Sequence, residues 1–197
     1  TAVGYFLPAG SSWVALLVLR GFSVLEIGLL ESIFHIVSFC FELPSGVVAD
    51  VFGRKRTLVL SQVMMLLSGG LMILSDSFGT VALAIGCSAL SYNLASGTRE
   101  ALAYDSLKKD GNEGAYNRFS STEMMFYRIT QSAATLCAGL ALWLGYRKAY
   151  MLDLLFGLVA LFIAGSLQEV MKDVETKNKS SREQLYEVVK ESWTFLR

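Results

Sequence analysis

An all-α membrane protein with six spanning helices is the fold class this sequence predicts, on three observations. Hydrophobic residues make up 53% of the 197 and charged residues only 17%, against about 25% charged in average soluble domains. Mean hydropathy is +0.48. The few charges cluster between six apolar stretches, each near the roughly 20 residues that cross a bilayer. A balance of 17 basic and 17 acidic side chains leaves no net charge, so no overall basic field invites nucleic acid. Cys40, Cys87 and Cys137 stand singly inside apolar stretches. They offer neither metal-ligand spacing nor a disulfide framework, and no metal or cofactor is expected.

The six spans are read at 2–19, 24–49, 57–75, 78–106, 116–144 and 150–168, making 1–168 one bundle. The first has no basic leader or clear small-residue cleavage site, which argues for a retained span rather than a signal peptide. Arg20-Gly21-Phe22-Ser23 separates it from the second, which Ser23 and Glu26 open at capping-box spacing. Ser75-Asp76-Ser77 divides the third from the fourth, and the polar run 108–114 divides the fourth from the fifth.

Lysine and arginine in the connections set the orientation. One side holds Arg54, Lys55, Arg56, Lys108, Lys109, Arg118 and six basic residues of the tail; the other holds Arg20, Arg147 and Lys148. The richer side is cytoplasmic, which places both termini there. The tail, 169–197, reads as a charged cytoplasmic linker followed by an amphipathic helix carrying Leu185, Val188, Val189, Trp193 and Leu196.

Ionisable side chains within a bilayer are costly, so each is a candidate for function. In the second span Glu31, His35, Ser38, Glu42, Ser45 and Ala49 recur at spacings of three and four, forming one narrow stripe. Such a stripe implies a wet interior or a helix interface; the alternative is that Glu31 and Glu42 lie near the two ends and reach water. Asn93, Gly97, Glu100 and Tyr104 form a similar stripe in the fourth span, beside Arg99. The fifth carries Glu123 and Arg128 on different faces, and Arg128 lies deep enough to want a carboxylate from Glu123, Glu100 or Glu31. The third and sixth spans are charge-free inside, with Asp153 at the edge of the latter.

Between the second and third spans the chain reads Gly46-Val47-Val48-Ala49-Asp50-Val51-Phe52-Gly53-Arg54-Lys55-Arg56. Gly46 permits close approach of a facing helix, Gly53 permits a tight turn, and Asp50, at a helix C-terminus, calls for an external donor. Arg54 can make a forked contact to a carboxylate such as Asp105. This segment resembles the signature cytoplasmic loop of the major facilitator superfamily. Glu100 to Leu107 resembles that superfamily's fourth helix, especially in bacterial drug-efflux-like members.

The resemblance implies the amino-terminal six-helix half of a transporter, built of inverted three-helix repeats. It implies that the first and fourth helices line a central cavity, that the second and fifth flank the interface between halves, and that the third and sixth face lipid. Gly46 and Asp50 would meet the second six-helix half, in the same full-length chain or a dimer partner, leaving Asp50 without a partner in this half. Arg54 would pair with Asp105 to latch the outward-facing state. The expected function is secondary active transport of a small molecule by alternating access, with proton-coupled efflux its specific form. Glu31, His35, Glu42, Glu100 and Glu123 are the candidate proton carriers, and Asn93 belongs to the cavity wall. Two other readings compete: a serine protease within the membrane, built on Ser96-Gly97 and His35, and a non-transporting membrane subunit. The protease reading lacks a glycine at Leu94 and a histidine in the sixth span.

Overall fold

A computed structural model describes residues 6–167, all helix, turn or short connection. The tail read at 169–197, with its linker and amphipathic helix, lies outside the described residues. Among the described residues nine α-helices follow in order: α1 (Pro8–Ser11), α2 (Trp13–Leu19), α3 (Val24–Phe52), α4 (Arg54–Leu74), α5 (Phe78–Ala95), α6 (Thr98–Lys109), α7 (Tyr116–Leu136), α8 (Ala138–Leu144) and α9 (Tyr146–Ser166). Among the described residues, four segments are long and apolar enough to cross a membrane: Val24–Phe52, Arg54–Leu74, Phe78–Lys109 and Tyr146–Ser166.

The breaks inside the expected spans have local causes. In the first, Pro8 opens α1 and the Ser12 hydroxyl donates to the Pro8 carbonyl at 2.7 Å, an alternative partner to the helix ladder. In the fourth, Gly97 takes φ +69° between α5 and α6, a left-handed conformation that glycine adopts without a Cβ clash. The fifth is interrupted at Cys137. The second runs three residues further than expected: Gly46 to Phe52 is helix, and the signature loop shrinks to Gly53 at φ +95° before α4 starts. The sixth likewise begins at Tyr146, so Arg147 and Lys148 are helical and the preceding turn is little more than Gly145. Ser23 and Glu26 form the expected capping box, and Ser77 with Thr80 forms another at the start of α5.

Helix α4 packs most extensively, against α5 and α9, while α3 packs on α5. Without water to drive association inside a bilayer, such contacts depend on close van der Waals fit and hydrogen bonds between helices. The sequence supplies both. The buried face of α9 is Ala149, Tyr150, Asp153, Gly157, Ala160 and Ala164, spaced by one helical turn and mostly small. Gly157 receives Leu66, and Gly69 receives Leu154: a Cβ built at either glycine would lie 2.8 Å or 2.9 Å from the facing leucine Cδ2. The same Leu-x-x-Gly word on both helices makes the contact reciprocal. Between α4 and α5, the Ser68 hydroxyl donates to the Ala84 carbonyl at 2.7 Å and the Ser91 hydroxyl to the Ser61 carbonyl at 2.8 Å. The outer faces of α4 and α9, including Leu67, Leu74, Leu155 and Phe162, are exposed apolar surface.

One end of the bundle is gathered by a single side chain. Arg20 donates to the Ser75 carbonyl and lies over the rings of Tyr146, at 4.3 Å, and Phe22, at 5.3 Å. It thereby ties the three turns at that end. Arg147 adds a contact to Asp76 at 3.4 Å.

Candidate functional site

The opposite end holds the signature residues. Gly53 reverses the chain so that Arg54 becomes the first residue of α4, facing α6. Its guanidinium pairs with the Asp105 carboxylate and donates to the Ala101 carbonyl at 2.5 Å. The two charged side chains are only 16% and 22% exposed, which strengthens the pair relative to one in open water. One turn of α6 thus supplies both acceptors. A second pair, Arg99 to Glu123 at 3.7 Å, joins α6 to α7. Lys55 also has an interaction within the chain, whereas Arg56 is exposed.

Two expectations are corrected here. Asp50 is exposed, but it is engaged by an interaction within this chain, so it is not left without a partner. Arg128 takes no carboxylate among the described residues. It is exposed, with its guanidinium 5.6 Å from the Tyr127 ring centroid, because Glu123 is turned toward Arg99. Gly46 has open space around it: a Cβ there would meet nothing within 4 Å.

The polar stripe of α3 divides along its length. Its inner edge is packed. The Ser38 hydroxyl donates to Asn93 Oδ1 at 2.7 Å, and the Asn93 amide donates back to the Ser38 carbonyl at 2.6 Å; Asn93 is therefore buried in a helix contact rather than presented on a cavity wall. Ser45 is buried too. The outer edge, Glu31, His35 and Glu42, is open, and His35 Nε2 lies 3.4 Å from Glu31 Oε1 one turn away. Glu100 is likewise exposed. Beyond this edge, α3 bares Leu25, Leu29, Ile36, Phe39 and Leu43. His35 is thus engaged along its own helix, while Ser96 is an exposed residue at the end of α5, and no contact brings the two into a catalytic arrangement.

Sequence reasoning passed over Asp153. It is not at an edge: with α9 starting at Tyr146, it sits two turns inside the helix and is 7% exposed. Its carboxylate accepts from the backbone N–H of Ala9 at 3.2 Å and of Gly10 at 2.9 Å, the free donors of α1's first turn. It also lines a cavity of about 260 Å³ with Trp13, Glu31, Ser68, Ser88 and Tyr150. The available signal was its period: Asp153 falls in register with Ala149, Gly157 and Ala160 on the small-residue face.

These features define a multi-pass helical membrane protein whose helices are joined by small-residue packing and by ion pairs at one end. The sequence profile of the Major Facilitator Superfamily matches residues 1–197, and the chain belongs to that superfamily. A relative from Bacillus subtilis (strain 168), named an uncharacterized MFS-type transporter YxaM, is 34% identical over 99 residues. That match takes in 50% of this chain and spans 24% of the relative's own length.

Proposed function

We propose that the chain forms the amino-terminal half of a secondary active transporter that moves a small molecule across the plasma membrane by alternating access. The observation that carries this reading is the Arg54–Asp105 pair, placed at the start of α4 directly after the Gly53 turn and drawn partly out of water. A partly desolvated ion pair that ties two helices at one end favours whichever state keeps that end closed. Here it acts as the latch of the outward-facing state. Gly46 and the bare apolar face of α3 receive a second six-helix half, and both termini are cytoplasmic. Drug-efflux-like export coupled to protons is the specific form proposed. The open carboxylates Glu31, Glu42 and Glu100, together with His35 and Glu123, are the proton carriers once a second half covers them.

The test is flux of a labelled compound panel in vesicles containing the full-length protein, with the pH gradient imposed in either direction. Accumulation that follows the gradient and collapses with an uncoupler supports the proposal. Compound movement that ignores every imposed gradient, or none for any compound while the protein is folded, rejects coupled transport.

A further inference from the structure

Asp153 presents a problem of charge. It is buried among helices, and its two backbone donors come from a helix of four residues, too short to carry much of a dipole. The cavity beside it is lined by two charged side chains, Asp153 and Glu31, both acidic. No lysine or arginine lines it among the described residues. A carboxylate withdrawn from water without a countercharge costs several kcal/mol, and two neutral hydrogen bonds offset only part of that.

The surrounding helices offer little else that titrates. α1, α2, α4 and α5 turn no charged side chain to the cavity, α3 contributes Glu31, and α9 contributes Tyr150, one turn before Asp153. Arg20 does not line the cavity: its guanidinium donates to the Ser75 carbonyl and lies over the Tyr146 ring, with its Nη1 buried at that end of the bundle and, among the described residues, without a hydrogen-bond partner. Oxygen ligands, by contrast, are present. A carboxylate has about four lone-pair sites, of which the two N–H donors use two. The Ser68 proton is given to the Ala84 carbonyl, leaving its oxygen as an acceptor, and Ser88 and Tyr150 add hydroxyls.

We propose that the cavity around Asp153 binds one monovalent cation, a proton or an alkali ion, with Asp153 as its ligand. Of the two acids only Asp153 is buried, since Glu31 is exposed beside His35, so the charge withdrawn from water matches one such ion. Among the described residues no cluster of three or more His, Cys, Asp and Glu side chains exists, whereas a divalent ion takes several carboxylates or carbonyls. This site lies inside one half of the protein and does not depend on the transport reading. Its occupant changes the α1 contact: a proton on a spare lone pair weakens the N–H bond accepted by that oxygen, while an alkali ion leaves both oxygens charged acceptors.

The experiment is infrared difference spectroscopy on the full-length protein in vesicles, with and without carbon-13-labelled aspartate. The samples are titrated from about pH 4 to about pH 9, which brackets carboxyl and imidazole ionisation, in sodium chloride or choline chloride. The expected result is an aspartate-sensitive protonated-carboxyl band that is lost in Asp153→Asn and retained in Glu31→Gln. If the ion is a proton alone, the titration is the same in both salts. If sodium binds, it suppresses the band and moves the midpoint by about one pH unit per tenfold sodium above saturation. Should Asp153→Asn fail to fold, Asp153→Glu serves: the band then persists but no longer responds to the aspartate label. Absence of any Asp153-dependent band, together with no sodium-dependent change in the carboxylate stretch, overturns the site.

Discussion

Replacing Gly157 by alanine adds one methyl group where α9 meets α4, and its cost can be worked from the contact. The new Cβ would lie 2.8 Å from Leu66 Cδ2 and 3.7 Å from its Cγ. Carbon atoms rest about 3.5–4.0 Å apart, so the Cδ2 methyl must move by nearly an ångström while Cγ can stay. Leu66 is half-buried, so its end can rotate. Overpacking of this kind costs about 1–3 kcal/mol, and the better helix propensity of alanine returns up to about 1 kcal/mol. A net loss of about 1 kcal/mol is expected. Gly69→Ala should cost more. There the Cβ meets Leu154 Cδ2 at 2.9 Å and Cγ at 3.4 Å, so rotation of a terminal methyl does not relieve it. The decisive measurement is a double-mutant cycle on the full-length protein, read by denaturant unfolding in detergent. Leu66→Ala alone loses packing, but in the Gly157→Ala background it also removes the clash, so the double variant should be less destabilised than the sum by about 1 kcal/mol. Additivity within about 0.5 kcal/mol, or Gly157→Ala costing more than Gly69→Ala, would refute the reciprocal contact.

Three further outcomes are expected. Asp105→Asn should weaken the Arg54 contact by about 1–3 kcal/mol and, on the proposed latch, shift the full-length protein toward inward-facing, as read by double electron–electron resonance between labels on this half and on the proposed second half; Arg54→Asp with Asp105→Arg should recover part of the change, and a swap as shifted as the single variant argues against pairing. Asn93→Leu leaves the Ser38 hydroxyl to bond within its own helix, and should cost about 0.6–1.7 kcal/mol, the range for hydrogen bonds between membrane helices; an unchanged unfolding midpoint contradicts this. With cysteines at Lys108 and at Lys148, an impermeant thiol reagent should reach one from each side of the membrane, and labelling of both from the same side removes the proposed topology.

Much of this architecture was legible because apolar runs and turn residues report directly on helix extent. The Ser23 cap, the Gly53 turn and the approach of Arg54 to Asp105 each rest on a few residues whose chemistry has few alternatives. The helix breaks were harder. Ser12 and Cys137 interrupt apolar stretches, Gly97 stands just before the charged Arg99-Glu100, and a sliding reading of hydropathy does not register one residue's φ. Arg128 was misjudged because depth along a helix says nothing about azimuth: it points outward, and the carboxylate expected for it is turned to Arg99. Asp153 was overlooked for a related reason. Placing the start of the last span four residues late moved a buried carboxylate to an apparent edge, and its partners, the N–H groups of Ala9 and Gly10, lie 144 and 143 residues away in sequence. No local pattern announces a partner at that distance.

The Arg20 clasp has a consequence for how the protein is made. Its first anchor, the Ser75 carbonyl, is 55 residues downstream, and the Tyr146 ring follows roughly 125 residues after Arg20. At about 5–20 residues per second of synthesis, the arginine waits roughly 6–25 s for its last anchor to emerge. Until then the guanidinium has the Phe22 ring and, once made, the Ser75 carbonyl, and the turn at Gly145 closes over it last. The clasp is therefore a late checkpoint in assembly. Substitutions at Arg20 or Tyr146, unlike side-chain changes at Ser75, whose backbone carbonyl is the anchor, should then register as lower yield of inserted protein before they register in the behaviour of the finished molecule.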